Sequence, residues 1–281
     1  VRMIPARRLV LASVTAALVL LALAPLASAD RTFSLRYQTV DRADSVFVAN
    51  TLMTCPNGGT CTNVRAGTNT SNGNGDFNEV NVDADSDGTT FNSSSADLAL
   101  PAGATVVFAG LYWGADTTAG TGGSAAPNAA ANDTMSFKAP GGSYATVTAS
   151  VVDTDSQRTS RYQGFADVTS VVQAGGAGTY WGANVQAGTG NDRYAAWSLA
   201  VVYKDPAKSI QQVGVYDGLT SLVSGTRPSV SIPLDSFLTP ASGTVNAKVG
   251  LVAWEGDRDI QSETATLNGS SLIDAANPST N

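Results

Sequence analysis

The chain has 281 residues, no histidine and a formal net charge of −7. The missing imidazole excludes Ser-His-Asp and Cys-His catalysis and removes the commonest zinc ligand. The excess of 23 Asp and Glu over 16 Lys and Arg disfavours nucleic acid and anionic lipid as partners, while it can attract cations.

The first 29 residues have the three-part layout of a secretory signal. Arg2, Arg7 and Arg8 form a positive head and Leu9 to Leu26 an almost unbroken apolar run. Ala27-Ser28-Ala29 then supplies small residues for a leader peptidase that would cut between Ala29 and Asp30. The alternative is a membrane anchor, since the run is near the ~20 residues a span needs. Pro25, the small residues at 27 and 29 and the absence of a charged stop-transfer block favour cleavage. Arg7-Arg8 matches a twin-arginine signal poorly, so general secretion is the expected route. The processed chain would have 252 residues, 13 basic and 23 acidic, with a net charge of −10 and no membrane insertion.

Cys55 and Cys61 close the segment Cys55-Pro-Asn-Gly-Gly-Thr-Cys61. Outside the cytoplasm two close cysteines usually pair, and Pro56 with Asn57-Gly58-Gly59 lets the chain fold back; a pair of free thiols is the alternative. Thr62 to Asp76 is polar and loop-like. Thr105 to Trp113 is an apolar run between Pro101-Ala-Gly103 and Gly114, the pattern of a buried strand. Asp116 to Asn132, rich in Gly, Ala, Thr and Asn, reads as a mobile insertion. Tyr144 to Val152 alternates. Val168 to Ala174 has helical character, with Asp167 as N-cap and Gly175-Gly176 as the stop.

Gly182 to Asp192 has the composition of a hairpin tip. Ala195 to Tyr203 places Trp197, Leu199, Val201 and Tyr203 on one face of a strand. Val230, Ile232 and Leu234 alternate around Pro233, which marks an edge strand. Val245 to Ala253 alternates again and ends at Trp254, and Thr264 to Leu272 reads as a further strand and turn. The pattern predicts an all-β fold, a β-sandwich or jelly roll over residues 30–263, with long Gly/Asn-rich loops and at most one or two short helices. Residues 264–281 are expected to begin a further strand or domain, or to form a disordered tail, and the chain reads as the front piece of a longer protein.

Asp83-Ala-Asp85-Ser-Asp87-Gly88 is the sharpest local motif. Carboxylates at alternate positions before a glycine resemble the opening of a calcium loop, although Ser94 stands where a bidentate glutamate belongs. The plainer reading of Asp83, Asp85 and Asp87 is an exposed acidic turn. Two more acidic groups are Asp153-Thr-Asp155 and Glu255-Gly-Asp257-Arg258-Asp259. Paired carboxylates can hydrolyse glycosides when held roughly 5–9.5 Å apart across a cleft. Trp113, Trp181, Trp197 and Trp254 can line a sugar-binding face, but tryptophans in apolar strands are more often core.

Several segments together carry a resemblance: Asp83 to Gly114, Asp167-Val-Thr, Trp197-Ser-Leu-Ala-Val-Val-Tyr203, Val215-Tyr-Asp-Gly218 and Trp254-Glu-Gly-Asp257. In this order they resemble the N-terminal region of large secreted actinobacterial surface proteins that carry repeats of the "domain of unknown function eleven" type. The resemblance covers roughly residues 30–275 and implies an extracellular, surface-associated module, attached to the cell wall through a part missing here, but brings no activity with it. The leading expectation is an exported, non-enzymatic structural or adhesive module whose partner is a surface protein or a glycan. The alternatives are a carbohydrate-binding module with structural calcium and a carboxylate-based glycoside hydrolase.

Overall fold

The computed structural model describes residues 27–272 apart from 70, 240 and 257–263. In chain order come β1 (Ala27–Ala29), β2 (Ser34–Asp41), β3 (Ala43–Thr51) and β4 (Met53–Thr54), then helix α1 (Gly59–Arg65). They are followed by β5 (Asn78–Asn81), β6 (Ser93–Leu98), β7 (Thr105–Asp116), β8 (Thr134–Lys138), β9 (Ala145–Thr148), β10 (Val151–Thr154) and β11 (Arg161–Asp167). Helix α2 (Thr169–Gly175) precedes β12 (Gly178–Ala183), β13 (Gly190–Asn191), β14 (Ala195–Lys204) and β15 (Gln211–Asp217). A short hairpin, β16 (Thr266–Leu267) and β17 (Ser270–Ser271), turns at Asn268-Gly269, both with positive φ.

The fold is all-β, with three stacked layers. The central sheet has the order β1-β10-β11-β7-β14-β3. Its pairs are antiparallel except β1 with β10, which is parallel. The sheet β6-β12-β8-β9 packs on one face through Leu98, Met135, Phe137 and Tyr180, which meet Leu111, Trp113, Trp197 and Leu199. The ribbon β2–β15 covers the other face, where Tyr37, Val213 and Val215 pack on Phe108, Tyr112, Phe165 and Val202. Tyr37 and Phe108 stack with centroids 4.8 Å apart. A sheet covered on both faces needs strands that are apolar throughout, which is why β7 and β14 are near-continuous apolar runs.

A bulge between Val202 and Tyr203 shifts the register of β14 against β7. It lets Val106 and Ala109, which straight alternation would send to opposite faces, join the same core. Trp197, Leu199 and Val201 enter that core as the alternation predicts; Tyr203 follows the bulge and lies in neither buried cluster. Two tryptophans lie over glycines. Trp113 is the cross-strand partner of Gly164, whose hypothetical Cβ would sit 2.3 Å from the indole ring. Gly182 makes the same room for Trp197 across the two sheets, at 2.6 Å. These glycines are strand residues because an aromatic ring fills the space their missing side chains leave.

Helix α2 starts one residue later than the sequence places it, at Thr169 with Val168 in the N-cap position. Asp167 Oδ1 accepts the Thr169 N–H at 2.9 Å, and Gly176 takes a φ of 64° at the end. The segment read as one strand from Tyr144 to Val152 is two, β9 and β10, in different sheets. Helix α1, unforeseen, occupies the cysteine loop. Cys55 and Cys61 form a disulfide, and both residues are buried. The bridge closes a short loop, so replacing both cysteines by alanine is expected to cost about 2 kcal/mol in urea denaturation.

The stretch from Asp116 to Asn132 is pinned rather than mobile. Its backbone pairs with the other glycine-rich loop: Gly120 N–H to Thr189 O at 2.9 Å, Thr189 N–H to Ser124 O at 2.8 Å, Gly188 N–H to Asp116 O at 2.8 Å. A Cβ on Gly188 would lie 2.0 Å from the Thr118 carbonyl oxygen, so only glycine permits this approach. The alternating segments around Ile232 and from Val245 to Trp254 are not strands. The second packs the reverse of its pattern: Lys248 reaches Asp44, Gly250 lies under Phe47 and Trp254 covers Gly114, while the alternating apolar residues Val245, Val249 and Leu251 are exposed.

Candidate functional site

The three predicted calcium ligands do not face one point. Asp83 Oδ1 and Asp85 Oδ1 lie 2.9 and 2.8 Å from the Ser93 hydroxyl, whose one proton they share. Asp87 turns away to the N–H and hydroxyl of Thr89. The other Asp85 oxygen takes the Tyr144 hydroxyl at 2.5 Å, with Lys138 Nζ at 4.0 Å. Burial would raise the Asp85 carboxyl, but the hydrogen bonds from Tyr144, Ser93, the Asp87 N–H and Thr90 outweigh it and bring it down to about 2. Among the described residues, no three His, Cys, Asp or Glu side chains gather in a way that could hold a metal ion.

The second acidic group is part of a buried ion network that local sequence patterns do not reveal. Arg31 holds Asp153 with two parallel bonds, Nε to Oδ1 at 2.8 Å and Nη2 to Oδ2 at 3.0 Å. Its Nη1 donates to Asp217 Oδ1 at 2.9 Å. Arg36 adds a bond from Nε to Asp217 Oδ2 at 2.7 Å, and the Tyr112 hydroxyl donates to the same oxygen at 3.1 Å. Burial and the neighbouring Asp217 charge keep the Tyr112 phenol protonated far above its ordinary range. Gln163 links the network to Trp254, whose indole N–H it accepts at 2.8 Å. The network lies between the central sheet and the β2–β15 ribbon and ties the chain just after Asp30 to both. Asp155, beside it in sequence, bonds the Gln157 N–H instead. Of the third acidic group only Glu255 is described, within reach of Asn74; Asp257 and Asp259 fall outside the described residues.

The predicted cut lies between Ala29, the last residue of β1, and Asp30, which has a φ of 47°. The apolar leader, residues 1–26, is outside the described residues. Asp30 is anchored by Ser156 N–H at 3.0 Å, the Ser156 hydroxyl at 2.5 Å and Arg227 at 2.6 Å. Scission before Asp30 would leave these bonds in place and make β10 an edge strand.

The four tryptophans do not share a face. Trp113 and Trp197 are buried in the core, donating to Asn132 O and to Ser94 Oγ, each at 3.0 Å. Trp254 is taken up by Gln163 and Gly114. Trp181 alone lies on the outer side of the sheet β6-β12-β8-β9, half-buried, with Lys138 Nζ 4.7 Å from its ring centroid. It borders a concavity of about 350 Å³ formed with Thr179 and the turn Ala139–Gly142.

Of the buried carboxyls outside the three acidic groups, Glu79 is the one raised by its burial. Glu79 on β5 is 7 % exposed, and burial pushes its carboxyl up to about 7, with Arg65 opposing only in part. The folded protein therefore holds this proton more tightly than the unfolded chain. The resulting penalty is absent below pH 4, grows between about pH 4.5 and 7 and is complete above that. Glu79→Gln is expected to stabilise the protein by about 2–3 kcal/mol at pH 8 and by almost nothing at pH 4. Urea titrations at the two pH values check this. Comparison with protein-family models, with curated proteins and with solved structures finds no match.

Proposed function

We propose that the chain is an exported, non-enzymatic structural or adhesive module of a bacterial cell surface. The observation that carries this reading is how its carboxylates are used. Glycoside hydrolysis needs one carboxyl poised as acid and another facing it across a cleft. Here Asp153 and Asp217 are counter-ions to Arg31 and Arg36 beneath a covering ribbon. Asp85 is saturated by hydroxyl donors and held ionised. The polar residues thus serve to fasten layers together, as suits a durable module outside the cell. The leader-like N-terminus and the buried disulfide support export. Among the described residues no helix is long and apolar enough to cross a membrane.

The test is made in bacterial cells expressing the full chain. Antibody labelling of intact cells and fractionation are expected to place the protein outside the inner membrane. Incubation with a panel of polysaccharides is expected to release reducing sugar only at background. A cytosolic pool, or catalytic release of sugar, would overturn the reading.

A further inference from the structure

We infer that the concavity beside Trp181 is a binding subsite for a neutral saccharide, with the indole as the stacking platform. This names a ligand class for the adhesive reading and rests on it for the kind of partner. The volume of about 350 Å³ is at the lower end of the range for small-molecule sites, which suits one or two sugar rings. Its lining is mixed. Trp181 offers an apolar ring, Pro140 a second apolar surface, Lys138 a hydrogen-bond donor and Thr179 a hydroxyl oxygen that can accept. Thr179 donates its proton to the exposed carboxylate of Asp97 at 2.6 Å, which leaves its hydroxyl oxygen to accept from a sugar O–H.

The platform is held before any ligand arrives. Trp181 is fixed by its ladder partners, Lys138 on β8 and Ser95 on β6. The Lys138 ammonium lies 4.7 Å from the Trp181 centroid and 4.3 Å from that of Tyr144, and Tyr144 is in turn bonded to Asp85. The acidic turn at Asp83 to Asp87 thereby acquires a role: it positions the lysine that positions the indole. A rigid site loses less entropy on binding. The turn opposite adds room, since a Cβ on Gly141 would meet nothing within 4 Å. Charge selects against acidic ligands. The one cation in the lining, Lys138, already faces Asp85, Thr179 is bonded to the carboxylate of Asp97, and the chain as a whole is negative. What remains favourable is a ring with an apolar C–H face and neutral hydroxyls.

The test uses the purified full chain, titrated with cellohexaose, mannohexaose, maltohexaose and chitohexaose, and with polygalacturonate as the acidic comparison. Calorimetry and tryptophan fluorescence are the readouts. At least one neutral hexasaccharide is expected to bind and to shift the emission. Trp181→Ala is expected to weaken that binding at least tenfold, and Trp181→Tyr, which keeps a ring, by less. Circular dichroism confirms that each variant is folded. The inference is overturned if no neutral hexasaccharide binds, if binding is unchanged in folded Trp181→Ala, or if only polygalacturonate binds. Because the assay uses purified protein, such a failure leaves the localisation result of the intact-cell experiment standing.

Discussion

Asp217→Ala is expected to destabilise the protein by about 3–5 kcal/mol in urea denaturation, the largest effect of any single charge removal here. The carboxylate side chain is 5 % exposed and receives bonds from Arg31, Arg36 and Tyr112. Its loss strands Arg36 and the phenol without their acceptor, and leaves Arg31 with Asp153 and the backbone carbonyl of residue 217. The penalty measures that abandonment rather than the worth of the intact cluster. Lys204→Ala is the contrast. Lys204 and Asp41 pair at 2.6 Å with side chains 47 % and 38 % exposed, so water replaces the lost bond and the variant is expected to be nearly as stable as the parent. Equal effects at the two sites would mean that the network is as wet as the surface.

Trp197→Ala is expected to cost a similar 3–5 kcal/mol, by a different route. The indole is fully buried, lies edge-on to Phe137 with centroids 6.1 Å apart, and fills the space above Gly182. Gly182 has no side chain to relax into the void, and Ser94 loses the donor to its hydroxyl oxygen. Trp181→Ala removes the same side chain from a half-buried position and is expected to cost about 1 kcal/mol. The comparison separates an indole that holds the two sheets together from one that presents a surface. A Trp197→Ala variant as stable as Trp181→Ala would contradict the placement of the core between these sheets.

The fold was legible where a local pattern has one physical solution. The apolar run of β7 reads as a buried strand, although the strand continues past Gly114 to Asp116; β14 reads as apolar on one face, whereas Ala200 and Val202 are buried on the other as well. Asp167 and Gly176 delimit α2 through a side-chain acceptor and a positive φ. Alternation from Val245 to Ala253 suggested a strand with a buried apolar face, but Val245, Val249 and Leu251 are exposed; a ladder also needs a neighbouring edge, and that is a property of the assembled sheet. Glycine-rich composition suggested mobility between Asp116 and Asn132; the same glycines allow two backbones to come into contact. The ion network was illegible because Arg31, Asp153 and Asp217 are brought together across 122 and 186 positions of sequence. Among the tryptophans, sequence offered four equal candidates, and only the layer order distinguishes Trp181.

The central claim, an exported and disulfide-clipped β module, is tested most directly by the intact mass of the protein recovered from the culture medium of cells expressing the full chain. The account predicts a species that begins at Asp30 and is about 2 Da lighter than its fully reduced form, the two hydrogens of Cys55 and Cys61 being absent. A protein found only inside the cells, or one in the medium that still begins at Val1 or carries both free thiols, would contradict it.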